Sequence, residues 1–394
     1  MTEPIVRIAA RGDGVTVGGR HVAFAVPGDL LLDDGTIEPG PGHQTPPCRH
    51  FPECGGCQLQ HLTDEAYAAY CESRVAGALN QHGLTTEIRA PHLSPPRTRR
   101  RATLRALKPG GRVLIGFNEA GSNRIVDMAE CHILHPMLFG LLHPLRVLLA
   151  GILPPKRTAE VHLALADQGP DVMMKGIEMA GLEAAEALTA FSEANGLARL
   201  SVDEGYGAEP RYEPQPVTVT LGGTSVPMPI GSFLQATADG EKALVDCVRE
   251  AVGEVERTAD LFAGLGTFAL SLQGQVTAAE AGREAILALK TAAARAGRPV
   301  QAEHRDLYRR PYDARELAAF DAVVLDPPRA GAQEQVRELA ASSVARIAYV
   351  SCNPATFARD AEILVGGGYR IDWARPVGQF RWSTHVELAA AFVR

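Results

Sequence analysis

The chain lacks a long uninterrupted apolar segment. Its most apolar run, residues 137–153, is broken by His143, Pro144 and Arg146, and a helix that spans a bilayer needs about 20 predominantly apolar residues. No N-terminal stretch combines a basic start with an apolar core, which is the pattern of a secretory signal. The sequence therefore predicts a cytoplasmic protein with no membrane partner and a buried helix over residues 137–153.

An excess of basic charge is also missing, and cysteine is scarce. There are 39 Lys and Arg against 46 Asp and Glu, for a net charge of −7, which excludes a chain that coats nucleic acid over its whole surface but allows a local basic face. Only 7 cysteines occur in 394 residues. In a reducing cytoplasm these are metal ligands, catalysts or core residues rather than disulfides. The length suits two or three domains, and no pattern indicates an obligate protein partner.

Three of the cysteines have the spacing of metal ligands. Cys48, Cys54 and Cys57 form a C-x5-C-x2-C pattern in which two glycines separate the last pair. A tetrahedral zinc site or an iron–sulfur cluster needs a fourth ligand. Cys131, in a turn-like context, suits this role better than Cys71, which lies in an apolar helical pattern. The spacing leaves zinc and iron–sulfur equally open, with unrelated buried cysteines as the alternative.

A basic run lies between these cysteines. Residues 97–112 contain seven Lys or Arg and no acidic residue. Arg97, Arg99, Arg101 and Arg105 would share one face of a strand. Arginine binds phosphate oxygens through paired hydrogen bonds, so this face is predicted to contact a phosphate-bearing substrate. A solvated charged face is the alternative.

The pattern of apolar and polar residues changes at two points along the chain. Residues 1–45 show short alternating apolar stretches between glycines, which is typical of antiparallel strands, and residues 46–230 indicate a β-rich or mixed central domain. From residue 231 onward, apolar strands alternate with helices, and residues 231–394 are predicted to form one domain. This alternation predicts an α/β fold with a doubly wound, mostly parallel Rossmann-like sheet and an antiparallel last strand.

The first strand end of that sheet indicates a nucleotide-type ligand. A predicted strand runs through Phe262 into a glycine loop with Gly264, Gly266 and Thr267, and such loops let the backbone approach a ligand closely. Glu280 ends the next strand, where an acid can accept hydrogen bonds from both hydroxyls of a ribose. The pair fits an adenosine-bearing cofactor, and NAD is not excluded.

Two further strand ends carry polar chemistry. Asp326 begins an Asp-Pro-Pro-Arg loop, and Cys352 follows the strand predicted at 346–350. A thiolate that adds to C6 of a pyrimidine makes C5 nucleophilic, and a base must then remove the C5 proton. Glu387 is the predicted base. A core cysteine and a surface acid are the alternatives for Cys352 and Glu387.

These motifs resemble the S-adenosylmethionine-dependent RNA 5-methyluridine methyltransferases. The similarity is carried by Ser-Cys-Asn-Pro at 351–354, Asp-Pro-Pro-Arg at 326–329, Gly-Ser-Phe-Leu-Gln at 231–235 and Thr-His-Val-Glu at 384–387. The cysteine array is similar to that of the 23S rRNA branch, which carries a 4Fe–4S cluster. The resemblance implies a nucleophilic Cys352, a basic Glu387 and a Phe233 that stacks near the target uracil. It also implies a donor or base pocket and a set of cluster ligands: Gln235, Phe262, Glu280, Asp306 and Asp326 for the pocket, and Cys48, Cys54, Cys57 and Cys131 for the cluster.

The sequence departs from this family in places. The first 45 residues resemble a shortened form of the family's N-terminal RNA-binding TRAM barrel. Thr267 stands where close relatives have asparagine, and Ala263 where they often have cysteine. The expected activity is methylation of a uridine, most simply in 23S rRNA. A tRNA uridine, an RNA cytosine, or a non-catalytic iron–sulfur RNA-binding protein are the alternatives.

Overall fold

The computed structural model describes residues 2–178 and 181–394. Within these ranges no helix has the length and apolar character to cross a membrane. The helices are α1 Asp64–Gln81, α2 Pro136–Gly140, α3 Leu142–Ile152, α4 Gly181–Ala194, α5 Ala238–Val252, α6 Arg283–Arg295, α7 Ala314–Leu317, α8 Gln333–Ala341 and α9 Pro354–Gly366. The strands are β1 Glu3–Ile8, β2 Gly14–Thr16, β3 His21–Val22, β4 Leu30–Leu31, β5 Ile37–Glu38, β6 Glu87–Ile88, β7 His92–Leu93, β8 Arg101–Leu107, β9 Leu114–Gly116, β10 Thr158–Ala166, β11 Gly169–Lys175, β12 Arg199–Asp203, β13 Ala208–Tyr212, β14 Thr218–Leu221, β15 Thr224–Pro227, β16 Arg257–Leu261, β17 Gln275–Glu280, β18 Val300–His304, β19 Ala322–Leu325, β20 Arg346–Ser351, β21 Arg370–Gly378 and β22 Glu387–Val393.

The N-terminal residues form a small five-stranded sheet in the order β3-β2-β1-β4-β5. Ile5, Val22, Ala25 and Leu31 fill its core. Tight turns join the strands, and the carboxylate of Asp29 fixes one of them by accepting from the backbone N–H of Val26 at 2.8 Å. The antiparallel strands expected for this segment are present.

The central part is a six-stranded sheet in the order β13-β12-β11-β10-β8-β9. Helices α2, α3 and α4 contribute to its apolar core, together with residues of β8, β10, β11 and β12. Two local predictions were wrong. The run at 137–153 forms two helices, since α3 starts afresh at Leu142, where Pro144 is tolerated in the first turn. Strand β8 begins only at Arg101, so Arg97 and Arg99 precede it and do not share its face.

The C-terminal part is built on a nine-stranded mixed sheet. Its order is β18-β17-β16-β19-β20-β22-β21-β6, with β7 also paired to β21. Strands β16 to β20 are parallel, whereas β22 runs antiparallel to both of its neighbours. The order reverses between β16 and β19, and ligands bind at such a switch point, above the carboxyl ends of the strands.

One segment from the range 46–230 belongs structurally to this sheet. Helix α1 packs on α9 and β21, and its buried face, which includes Tyr67, Cys71 and Leu79, joins the apolar core on one side of the sheet. Strands β6 and β7 extend the edge of the sheet beside β21. Residues 64–93 thus join the C-terminal sheet before the chain forms the central sheet. The domain boundaries at residues 45 and 230 stay a prediction.

Candidate active site

A single pocket of about 890 Å³ lies above the switch point of the sheet. Most residues predicted for catalysis, cofactor and substrate line it. These are Phe233, Gln235, Phe262, Gly264, Thr267, Glu280, Asp306, Asp326, Cys352, Glu387, Arg99 and Arg101. Two predicted residues do not line it. Gly266 is buried within the glycine loop, and Arg97 is exposed in the segment before β8.

The glycine loop forms one end of the pocket. Phe262 has a φ of 67° and Gly266 a φ of 94°, and both values fall in the left-handed region that favours glycine. A Cβ on Gly266 would lie 2.4 Å from Cδ1 of Leu289, so the loop can approach α6 this closely only with glycine at this position. Strain at Phe262, a bulky residue at a strand end, is typical of a ligand-binding position.

Glu280 ties this loop to the neighbouring strand. One of its carboxylate oxygens accepts from the N–H of Gly264 at 3.1 Å, and the other accepts from the N–H of Gly282 at 2.5 Å. Nearby, the rings of Phe262 and Tyr308 lie 5.6 Å apart. An oriented carboxylate beside two aromatic rings fits the ribose and base of an adenosine. The residues present therefore fit the methyl donor expected from the sequence.

Cys352 lies at the other end of the pocket, between β20 and α9. Asn353 caps α9 through its side chain, which accepts from the N–H of Ala355 at 3.2 Å, and Pro354 occupies the first turn. The positive end of α9 therefore lies next to the thiol, which favours a thiolate. Burial nevertheless raises the pKa of Cys352, and the negative charges of Glu387 and Asp326 raise it further.

Two carboxyl groups face this thiol, the buried one of Glu387 and the half-buried one of Asp326. Burial raises the pKa of Glu387 to about 8, and the charge of Asp326 adds to the rise, whereas a hydrogen bond from Gln379 and the charge of Arg101 oppose it. Burial alone raises the pKa of Asp326 to about 7. Perturbed carboxyl groups in a cleft are typical of catalytic acids and bases.

An aromatic and basic wall completes the pocket. The guanidinium of Arg101 lies 4.4 Å from the ring centre of Phe233, and that of Arg99 lies 5.4 Å from the ring of Phe380. Phe233 is 59% exposed, which is unusual for a phenylalanine and leaves its ring free to stack. Burial lowers the pKa of Arg101 to about 10.

The four cysteines predicted as metal ligands meet in a second, small cavity. Cys48, Cys54, Cys57 and Cys131 line a space of about 20 Å³ together with apolar side chains. Burial raises the pKa of the four thiols, that of Cys57 to about 12, and repulsion by the other cysteines adds to the rise at Cys48, Cys54 and Cys57. The backbone N–H of Leu134 points at Sγ of Cys131 at 3.5 Å. Four soft sulfur donors fit a thiolate-ligated metal or cluster, although no group of side chains in the described residues is arranged as a metal site.

This cysteine segment borders the large pocket. Gly55, Gly56 and Gln58 line the pocket from the cysteine side, and Gln58 donates to the carbonyl of Gly55 at 2.6 Å. Half-buried Arg99 lies between the two sites, where the charges of Cys57 and Cys131 act on it. Whatever orders the cysteine segment therefore also shapes one wall of the pocket.

Several site residues were missed by sequence reasoning. Gln58, Tyr308, Phe380 and His385 line the pocket, and Gln379 hydrogen-bonds to Glu387 from behind. Only His385 had a signal, since it lies within the Thr-His-Val-Glu motif. The others come from loops far apart in sequence, and only the folded sheet brings them together.

Comparisons with known proteins identify the family of this chain. A family model described as tRNA (Uracil-5-)-methyltransferase matches residues 300–394. The chain is 50% identical over 393 residues to an uncharacterized RNA methyltransferase of Zymomonas mobilis, which covers 99% of both chains. It is 36% identical over 370 residues to the 23S rRNA (uracil(1939)-C(5))-methyltransferase of Chromohalobacter salexigens, which covers 90% of this chain and 77% of the relative. The crystal structure of Pyrococcus abyssi tRNA (uracil-54, C5)-methyltransferase with S-adenosyl-L-homocysteine matches with a TM-score of 0.75, 25% identity and coverage of 100% of both chains. The chain therefore belongs to the family of S-adenosylmethionine-dependent RNA uracil-C5 methyltransferases.

Proposed function

We propose that this enzyme methylates C5 of one uridine in 23S rRNA, with Cys352 as the nucleophile and Glu387 as the base. The observation that carries the proposal is the meeting of Cys352, Glu387 and Asp326 in one pocket with the glycine loop. A thiol and a carboxyl group at one end and a nucleotide-type subsite at the other provide the two functions that C5 methylation needs. The relative that acts on 23S rRNA supports the choice of RNA.

The residues would act in sequence. The thiolate of Cys352 adds to C6, which forms an S–C6 bond and moves the electron pair of the C5=C6 bond onto O4 as an enolate. S-adenosylmethionine supplies an electrophilic methyl group, and C5 takes it as the sulfonium–methyl bond breaks. Glu387 then removes the C5 proton, the C5=C6 bond re-forms, and the S–C6 bond breaks to release Cys352. Phe233 would hold the uracil ring by stacking.

Two experiments test the reaction and its mechanism. Mapping the 5-methyluridine that is lost from a deletion strain identifies the target. A site in tRNA, which the structural relative suggests, or a methylated cytosine would overturn the proposed substrate. RNA with 5-fluorouridine at the target should form an adduct that survives denaturation. Fluorine replaces the C5 hydrogen, so the base has no proton to remove and the S–C6 bond cannot break. Cys352→Ala should form none, and an adduct in that variant would overturn the assignment of the nucleophile.

The RNA on either side of the target would pass through a basic groove. A depression of about 590 Å³ adjoins the pocket and shares Gly55 and Gln58 with it. Arg11, Arg105 and Arg329 reach it from the N-terminal, central and C-terminal parts of the chain. Once the uracil lies beside Cys352, its backbone must lie outside the pocket mouth, and we place the adjoining phosphates here, beside the predicted contacts Arg99 and Arg101. Exposed Arg97 would contact RNA further out.

A matched pair of arginines on the small N-terminal sheet tests this path. Arg11→Ala should weaken RNA binding about 3- to 10-fold and lower the salt slope of binding by about one, as expected for one lost phosphate contact. Arg20→Ala removes a similarly exposed charge outside the groove and should leave both quantities unchanged. Equal effects of the two variants would argue against the groove.

The four cysteines would hold a 4Fe–4S cluster with a structural role. Methyl transfer needs no electron, and the cysteine segment forms a wall of the pocket. Protein purified without oxygen should contain about four iron and four sulfide per chain, with a visible absorbance band that is lost in Cys54→Ser. Stoichiometric zinc without iron would overturn this assignment in favour of a zinc site.

A further inference from the structure

Gln379 lies in the connection between β21 and β22 and is 1% exposed. Its side-chain oxygen accepts from the backbone N–H of Ala236 at 2.7 Å and, more weakly, from that of Thr237 at 3.4 Å. A backbone N–H can only donate, so these two contacts fix which end of the amide is oxygen. The opposite end of Gln379 must therefore be the NH2 group.

The two hydrogens of that NH2 group have separate acceptors. One is donated to the side-chain oxygen of Gln235 at 2.7 Å, and the other is donated to Oε2 of Glu387. All four hydrogen-bonding positions of Gln379 are thereby used within the protein, and this amide is not free to bind RNA. Its contacts connect the segment 235–237 to the carboxyl group at the start of β22.

This arrangement makes the two oxygens of Glu387 different. An oxygen that accepts a hydrogen bond from an amide N–H does not carry a proton along that line. Oε2 is thus held as an acceptor, and a proton taken up by Glu387 resides preferentially on Oε1, because a protonated oxygen is the weaker hydrogen-bond acceptor. The same contact limits rotation of the carboxyl group, which burial and packing against β20 and β21 already restrict.

We propose that Gln379 is a positioning residue for the last chemical step, which holds Glu387 so that Oε1 removes the C5 proton. This inference rests on the proposed roles of Cys352 and Glu387. Gln379 touches no reacting atom, and it acts by fixing the direction of the base. Its loss should slow removal of the C5 proton while leaving thiol addition and methyl transfer intact.

The charges around Glu387 give this contact a second effect. Asp326 and Cys352 face Glu387 as acidic groups, and Arg101 faces it as a cation. The hydrogen bond from Gln379 lowers the pKa of Glu387 against the larger effect of burial. Without Gln379 the pKa rises further, so the rate of the proton-removal step should reach its plateau at a higher pH.

The test compares Gln379→Met with Gln335→Met. Methionine fills a similar volume but donates no hydrogen bond. Gln335 is an equally buried glutamine whose amide bonds to the backbone of Tyr312 at 2.9 and 3.0 Å and which does not line the pocket. In single turnovers on unmodified RNA, Gln379→Met should accumulate the methylated covalent adduct and release product about 10-fold or more slowly. Gln335→Met should accumulate no adduct and should release product at the wild-type rate, whatever its cost in stability.

Further measurements separate the possible outcomes. RNA deuterated at C5 should give a larger isotope effect on turnover in Gln379→Met than in the wild type. The ratio kcat/KM for RNA should stay within about twofold, because slower breakdown of the adduct lowers kcat and KM together. Gln379→Asn, whose amide is too short to reach both Ala236 and Glu387, should behave alike and serves if the first variant does not fold. With 5-fluorouridine RNA, the wild type and Gln379→Met should form the adduct equally well. This result would support the proposed mechanism in both proteins. Product release at the wild-type rate, or a change in KM alone, would overturn the role of Gln379, whereas absence of any wild-type adduct would overturn the proposed mechanism itself.

Discussion

The buried carboxyl group of Glu387 should make the enzyme less stable as the pH rises. Burial raises its pKa from 4.5 to about 8, so the folded chain holds a proton that the unfolded chain has already released. Below about pH 4 the group is neutral in both states and has no effect. Between about pH 4.5 and 8 the unfolded state ionises alone, and the free energy of unfolding falls with increasing pH. Above about pH 8 the loss is complete.

Glu387→Gln should remove this dependence. Each pKa unit corresponds to about 1.4 kcal/mol, so the rise to about 8 sets an upper limit of about 5 kcal/mol. Coupling to Asp326, whose own pKa is raised to about 7, and local relaxation reduce this to about 3 kcal/mol. Glutamine still offers an oxygen to Gln379, so the variant keeps that contact. The free energy of unfolding of the variant, relative to that of the wild type, should rise by this amount as the pH increases from 4.5 to 9. The variant should also lose turnover.

Urea denaturation, followed by tryptophan fluorescence, measures the free energy of unfolding at each pH. Trp373 lies in β21 and Trp382 in the connection to β22, which begins at Glu387, and both tryptophans are buried. The measurement is made at pH 5 and pH 9. Glu284→Gln, on the exposed first turn of α6, is the matched control and should change the free energy of unfolding by the same amount at both pH values. A difference between Glu387→Gln and wild type that is the same at pH 5 and pH 9 would refute the reasoning that burial keeps Glu387 protonated.

Further outcomes follow from other parts of the structure. Gly266→Ala should abolish binding of the methyl donor in calorimetry, because the new Cβ would lie 2.4 Å from a Leu289 methyl carbon, whereas Gly110→Ala, in open space, should bind normally. Phe233→Ala should raise KM for RNA about 10-fold or more through lost stacking, worth about 1–3 kcal/mol, and should leave donor affinity unchanged. Arg199→Met should lower the free energy of unfolding by about 3–5 kcal/mol, because it leaves the buried carboxylate of Asp171, which Arg199 bonds at 2.8 Å, without its partner. Loss of donor binding in the Gly110 variant, unchanged RNA binding in the Phe233 variant, or wild-type stability of the Arg199 variant would contradict these expectations.

The C-terminal sheet was predictable because its signals are local. Apolar strands at regular intervals between helices specify a parallel sheet, and polar residues directly after the strands specify its functional edge. Asp326, Cys352 and Glu280 could be assigned to one pocket for that reason. The position of α1 on this sheet was not predictable, since its apolar face would suit the central core equally well and only the fold decides between them.

The basic run shows what periodicity could not supply. Alternation placed Arg97, Arg99, Arg101 and Arg105 on one strand face, but the strand starts at Arg101. Arg97 and Arg99 instead bond through their backbone N–H groups to His132 and Ile133 beside the cysteine site. A contact so distant in sequence changes the local conformation and leaves no periodic signal.

Arg101 consequently has a different environment from the one that its sequence context suggests. It lies in the pocket with Glu387 and Cys352 close enough for their charges to raise its pKa, although burial lowers the pKa by more. Both of those groups must lose a proton for the proposed chemistry, and burial opposes each loss. A fixed cation next to both offsets part of that penalty, since charges interact strongly in a site from which water is excluded. A bound uracil ring would exclude more water and strengthen the effect. The charge of Arg101 therefore suits the thiolate and carboxylate of the proposed reaction as well as a phosphate of the RNA, and this would link the basic run to the chemistry in addition to RNA affinity.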